Sequence, residues 1–382
     1  MKRFVLLIIL SVFGIKAAAF DWKPQSNDAL RNEMFSFVED FRDKTSDPVL
    51  SAALDDFLKV QKAQAQSEPY QWIYDTHDFV DEMLEKYPAE RSEGGRCSLE
   101  RKSLLLLRDY PMHADNKPAD APQELKDAYV NSVKAQYAAA ENDALTWLRN
   151  GRKSGRLDIF KTYNMGFLFR SAGKVAAVDV QWSGPKDRMK EFASFVDVFF
   201  VTHPHEDHFT KELLMELLNA GKTVVLPCDL VPEHVGENKI IVGEDIIEPM
   251  SLGRISFVSR MGNQGKDVPC NVYVISLGKW NIAHNGDNAA DGAESFLSQT
   301  DLDVFVGACW NGMKDTMNHI KANPRGTDCL YISSHENEWG HTVDHRESYE
   351  ELFRRTDRLG DPDYDYLTTV VTDAAGDYLV LK

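Results

Sequence analysis

Two textures of hydrophobic and polar positions divide this chain, and the change falls near position 151. From Asn27 to about Gly151 apolar residues recur at steps of three and four, which predicts helices over Ala29 to Phe41, Val49 to Ala65, Tyr70 to Tyr87, Ser98 to Leu107 and Pro122 to Trp147. Ser98-Leu99-Glu100-Arg101 reads as a helix start, and Pro122 falls near a first turn, where its missing N–H does no harm. Between these helices, Asp109 to Pro118 mixes prolines with polar groups and reads as a loop. From Leu157 onward the apolar runs shorten and suit strands: Lys174 to Val180, Phe195 to Thr202, Thr223 to Pro227, Ile240 to Val242, Ile255 to Val258, Asn271 to Ile275, Val304 to Val306 and Tyr378 to Leu381. Helical stretches at Lys211 to Ala220 and Arg346 to Arg355 lie among them, so this part is α/β and fits an αββα sandwich behind an all-α extension. The glycines and basic residues of Arg149 to Gly155 mark the boundary, giving a helical region at 20–152 and a sandwich at 153–382.

The first residues belong to neither texture. Met1-Lys2-Arg3, the apolar run Phe4 to Ile15 and the small residues Ala17 to Ala19 have the form of a secretory signal, expected to be cut after about Ala19. The run is too short to serve as a stable membrane anchor, so the expected location is periplasmic or extracellular. Of the 382 residues, 43% are hydrophobic and 27% charged, a balance that supports a folded core and excludes a disordered chain. The net charge of −17 falls to −20 once Lys2, Arg3 and Lys16 are removed, which repels polyanions and argues against nucleic acid as a partner. Cys97, Cys228, Cys270, Cys309 and Cys329 show no C-x-x-C spacing, so they suggest neither a thiolate metal site nor a redox motif.

The densest chemistry is Val201-Thr202-His203-Pro204-His205-Glu206-Asp207-His208, which follows an apolar strand and precedes a helix. His203 and His205 stand two apart, so a short turn aims both rings at one ion, while Asp207 and His208 reach a second beside it. A solvated histidine-rich loop would need neither the strand before nor the helix after.

This H-x-H-x-D-H pattern resembles the signature of the metallo-β-lactamase fold superfamily, and the resemblance runs from about Leu157 to the C-terminus. Ile159 to Phe169 with Gly173 to Asp179 resembles the opening hairpin of that fold, which puts Asp179 beside the metal loop. Trp280 to Asp287 resembles the strand ending in Gly-Asp, which implies that Asp287 bridges two metals. Leu330 to His335 resembles the strand that delivers the last ligand, His335. One feature departs from the family: the histidine expected near Ser259 to Val268 is missing. Asp267, Asn263 or Gln264 stands in for it, or His284 or His341 swings in, or only one ion binds tightly.

The resemblance implies one or two ions, with zinc favoured and manganese or iron compatible with imidazole and carboxylate donors. It also implies a hydrolase that uses a metal-bound hydroxide on an ester, lactone, amide or phosphodiester. The substrate is expected to be a small or lipid-like molecule. The metal ligands are then His203, His205, Asp207, His208, Asp287 and His335, with Asp207 also orienting the nucleophile and His341 and His284 candidates to protonate the leaving group. His284 has an alternative as a strand-end residue bonded to backbone, and His341 as a surface residue. A lid loop carrying His113, Asp115 and Asn116 is a candidate cover for the cleft. Trp310 and Trp339 are candidate substrate contacts, Arg346 a candidate partner for an anionic group, and His234 and His345 read as loop and helix-start residues. The competing reading is a non-catalytic metal-binding protein whose helices bind a partner.

Overall fold

The computed structural model describes residues 26–89, 98–114, 122–151, 153–232, 237–265, 267–289, 297, 301–308, 329–336, 347–357, 368–371 and 376–382. The expected signal at 1–19, His234, His341, His345, Arg346, Trp310, Trp339, Asp115 and Asn116 lie outside the described residues. Among the described residues no helix is long and apolar enough to cross a membrane.

Among the described residues, five helices come first along the chain: α1 (Asn27–Lys44), α2 (Pro48–Gln64), α3 (Gln71–Leu84), α4 (Leu99–Met112) and α5 (Gln123–Arg149). Their starts follow the sequence, since the Ser26 hydroxyl accepts from Ala29 N, the Asp47 carboxylate accepts from Val49 and Leu50 N, and the Ser98 hydroxyl accepts from Arg101 N. Their apolar faces meet in one core that includes Met34, Phe41, Leu54, Trp72, Val80, Leu104 and Leu107. Burial of each such side chain contributes about 1.5–3 kcal/mol, which short helices need in order to persist.

Helix α4 corrects the sequence reading, because it runs through Asp109, Tyr110 and Pro111 instead of giving way to a loop. Pro111 lies inside the helix and lacks the N–H that would bond the carbonyl four residues back. Tertiary contacts hold this stretch. The Tyr110 ring packs 5.6 Å from that of Phe37, and the Asp109 carboxylate accepts from Tyr349 N at 2.8 Å and Glu350 N at 3.1 Å, capping α8 (Tyr349–Asp357). His113 is fully buried and donates from Nδ1 to Asp109 O at 2.7 Å, so its ring caps α4 and does not cover a cleft.

Beyond Leu157 the chain builds two seven-stranded sheets. The first contains β1 (Leu157–Lys161), β2 (Phe167–Ser171), β3 (Lys174–Val178), β4 (Val198–Phe200), β5 (Thr223–Leu226), β6 (Lys239–Ile241) and β14 (Tyr378–Leu381), in the order β14-β1-β2-β3-β4-β5-β6. The second contains β7 (Ile246–Leu252), β8 (Ile255–Gln264), β9 (Val268–Leu277), β10 (Trp280–His284), β11 (Val304–Ala308), β12 (Leu330–Ser334) and β13 (Thr368–Val371), in the order β13-β12-β11-β10-β9-β8-β7. In each sheet one half is antiparallel and the other parallel, β3 to β6 in the first and β10 to β13 in the second.

Alternate residues of the two sheets, among them Phe167, Phe169, Val178 and Phe200 facing Tyr273, Ile275, Ile282 and Ile332, fill the space between them. Leu168, Ala177, Phe199 and Val224 point the other way and are covered by α5, α6 (Lys186–Phe195) and α7 (Lys211–Asn219). Helix α8 lies against β12 and β13 on the opposite side, which completes an αββα sandwich with an N-terminal all-α extension.

Two local expectations change, and one strand is added that the apolar pattern does not mark. Phe195 ends α6 and the strand begins at Val198; Asp197 interrupts the apolar run, and Phe192 O accepts from Val196 N and closes the helix first. Strands β8 and β9 are ten residues each, longer than their β-branched centres, because they pair with each other along their whole length. Strand β7 holds Pro249 and is largely exposed, tolerated because it is the sheet edge.

Candidate metal centre

Parallel strands in both sheets end on the same rim, and their last residues bring the chemistry together. Asp179 follows β3, the Val201 to His208 turn follows β4, Asn285-Gly286-Asp287 follows β10, and His335 follows β12. Asp179 and His335 both have left-handed backbone, φ 51° and 79°, as does Asn164 (φ 52°) in the β1–β2 loop. Non-glycine residues hold that conformation only where the surroundings impose it, and here it turns the chain sharply at the rim. Gly286 is required for a different reason: a Cβ there would lie 2.3 Å from Thr202 Oγ1, so only glycine lets the Asp287 turn come this close to the histidine turn.

Asp207, His208, Asp287 and His335 each offer a ligand atom within 4.8 Å of the others, and His203, His205 and Asp207 form a second such group that shares Asp207. Asp287 stands among three imidazoles, its Oδ2 3.6 Å from His203 Nε2 and 3.2 Å from His335 Nε2, its Oδ1 3.4 Å from His208 Nε2. His208 Nε2 is also 3.1 Å from Asp207 Oδ2. His203 Nε2, His208 Nε2 and Asp287 Oδ1 are shut off from solvent, yet none has a hydrogen-bond partner. Imidazole and carboxylate atoms that converge at 3.1–3.6 Å in a buried setting, where an unmet polar group costs about 1–3 kcal/mol, fit a shared divalent cation. His205 and Asp207 are only partly buried and form the open side.

The second layer fixes these rings. Asp179 is fully buried; it accepts from Thr202 N at 2.7 Å and Thr202 Oγ1 at 2.6 Å, and its Oδ2 lies 2.9 Å from His208 Nδ1. That contact leaves His208 Nε2 aimed at the centre. Burial opposes ionisation of Asp179, Asp207 and Asp287, but the surrounding histidines hold all three below the usual carboxylate range. Burial and the neighbouring His208 push His203 down to about 3, so its ring stays neutral as a ligand must. His335 goes the other way: burial lowers it, but Asp287 and Asp207 hold it up at about 9.

His284 is corrected. It is fully buried, with Nε2 donating to Met165 O at 2.9 Å and Nδ1 accepting from Gly286 N at 3.2 Å. With both nitrogens engaged by backbone it shapes the Asp287 turn, and it has no proton to give a leaving group. Of the stand-ins for the missing histidine, Asn263 and Asp267 are exposed, whereas Gln264 donates from Nε2 to Asp287 Oδ2 at 2.8 Å.

Two contacts escape a reading of motifs. Asn164 is fully buried and donates from Nδ2 to Asp207 Oδ2 at 2.6 Å, while its carbonyl accepts from Ser334 Oγ at 2.6 Å. The buried Lys161 reaches Ser334 Oγ and pairs with Glu336 at 2.5 Å, flanking His335. The sequence signal was a polar Lys-Thr-Tyr-Asn stretch between the two strands of the hairpin. Asn164→Ala is expected to weaken metal affinity about tenfold, the lower end for a residue that orients a ligand, and to cost about 1.5–3 kcal/mol for the lost charge-assisted bond. Asn164→Gly relieves the left-handed backbone but still lacks the donor, so metal titration and thermal melts should show stability partly restored and affinity not.

No protein-family model matches the chain, and no curated protein matches it. Solved structures similar to it include the metallo-β-lactamase fold protein YhfI of Bacillus subtilis, 12% identical over 59% of this chain and 99% of that one with a TM-score of 0.44. A possible metal-dependent hydrolase of Veillonella parvula is 13% identical over 60% of this chain and 100% of that one, TM-score 0.45. CmlA, a diiron β-hydroxylase of Streptomyces venezuelae, is 14% identical over 60% and 55%, TM-score 0.41. Likenesses this distant decide nothing about chemistry. The paired sheets flanked by helices give this chain an αββα sandwich, with a cluster of imidazole and carboxylate groups at its strand ends.

Proposed function

We propose that the protein is an exported metal-dependent hydrolase acting on an ester, lactone, amide or phosphodiester of a small or lipid-like molecule. The observation that carries this is the cluster of buried, unbonded imidazole and carboxylate atoms with one open side at His205 and Asp207. A divalent cation held there lowers the pKa of a water it binds and polarises a carbonyl or phosphoryl oxygen. The residues do the rest. His203, His205, His208 and His335 supply neutral donors once any proton has left, and Asp287 stands between the two groups. Asp207, ionised and tied to Asn164, acts as an acceptor that orients an attacking water at the open side. Imidazole and carboxylate donors suit zinc, manganese and iron, and zinc is the first to try. The amphiphilic leader at 1–19 supports export, and the excess of acidic groups disfavours a nuclease.

The test strips metal with a chelator and assays lactone, thioester, amide and phosphodiester substrates before and after zinc, manganese or iron is returned. Activity on at least one substrate that disappears and returns with metal is expected. Tight uptake of a coordinatively saturated ion with no turnover on the panel overturns the enzyme and leaves the non-catalytic metal-binding protein.

A further inference from the structure

The end of β8 is stapled to the Asp287 turn, although nothing in the sandwich requires strand and turn to touch. Asn263 N donates to Asn288 Oδ1 at 3.1 Å, and Ala289 N donates to Asn263 O at 2.8 Å. Gly262 makes the approach possible, because a Cβ there would lie 1.9 Å from Asn288 Oδ1. The next residue, Gln264, is thereby set on the centre, its amide 2.8 Å from Asp287 Oδ2. Its other terminal atom, Oε1, is shut off from solvent and has no hydrogen-bond partner.

We infer that Gln264 is itself a metal ligand, binding through Oε1 beside His203 and His205 where the sequence lacks a histidine; this rests on the metal reading of the site proposed above. Nitrogen and oxygen of a side-chain amide exchange places by a half turn. The amide directs its N–H to Asp287 Oδ2, and a half turn presents its oxygen to a cation that Asp287 would hold. Two oxygens about 2.0–2.2 Å from one ion stand roughly 3 Å apart, which matches the separation already present. The consequence is asymmetry. The group of Asp207, His208, Asp287 and His335 has four strong donors, whereas His203 and His205 share Asp207 with that group and are completed by a neutral carbonyl, a harder and weaker donor than imidazole. The two positions therefore fill in sequence, the one at Gln264 second.

The full-length protein, stripped of metal, is titrated calorimetrically with zinc chloride. Wild type is expected to show a tight step and a weaker one. Gln264→His tightens the weaker step about tenfold or more and Gln264→Ala weakens it by a similar factor, with the tight step, whose Asp287 Gln264 also touches, changing by less. Gln264→Glu separates ligation from mere support. An anionic oxygen donor holds or tightens the weaker step, whereas a carboxylate facing Asp287 would weaken it if the amide served only by its N–H. Cobalt uptake followed by visible absorption gives a second readout, since only a ligand change alters the spectrum of the weaker step. The inference is overturned if the Ala and His variants titrate as wild type, or if Glu weakens the step as Ala does. A wild type that takes up neither zinc nor cobalt overturns the metal reading itself, a distinct outcome.

Discussion

Asp287→Ala is expected to abolish metal uptake for practical purposes and to take hydrolysis with it. Asp287 approaches three imidazoles, His203, His208 and His335, at 3.2–3.6 Å through its two oxygens. Changing a residue that merely orients a ligand costs 10–100-fold in affinity, so losing a direct and charged ligand should exceed about 100-fold, with turnover falling by at least as much. The fold should survive, because Asp287 lies on the rim and the inter-sheet core does not use it. Elemental analysis with circular dichroism separates the effects: a folded, metal-poor protein is expected. An Asp287→Ala protein that still takes up zinc at wild-type affinity would refute convergence on a shared cation.

The largest loss of stability is expected at Lys161→Met. Lys161 and Glu336 are both completely buried, and their pair is reinforced by Ser334. Removing the ammonium takes the Lys161 charge away from a fully buried carboxylate, a change that costs about 3–5 kcal/mol. Glu336→Gln should cost less, because the amide that remains is neutral. The double change should recover part of the loss, with a coupling of roughly 0.5–3 kcal/mol in a double-mutant cycle read by urea unfolding. Affinity for metal should not recover in the double variant, since Lys161 reaches Ser334, and Ser334 holds the Asn164 loop that in turn holds Asp207. Single variants within 0.5 kcal/mol of wild type would show that the pair carries no such weight.

What could be read from the chain in advance was whatever is local. Helical spacing marked the extension, since an amphipathic face repeats within a few residues, and short β-branched runs marked the sheets. His203, His205, Asp207 and His208 stand out because one turn holds all four, and Asp287 and His335 because each ends an apolar strand. The reading broke down where a partner far along the chain outweighs local preference. Helix α4 continues through Pro111 while Asp109 caps a helix 240 residues away. His284 looked like an acid and is spent on Met165 O, 119 residues off.

The sequence by itself determined which side chains are able to bind a cation and which strands present them, because donor chemistry and alternation are properties of neighbouring residues. Only the tertiary structure decided which of them meet. Lys161 with Glu336, Asn164 with Asp207 and Gln264 with Asp287 are separated by 175, 43 and 23 positions. No spacing rule connects such pairs; the packing of two sheets and the turns at their rim does, since it fixes in space what the backbone leaves free along the chain.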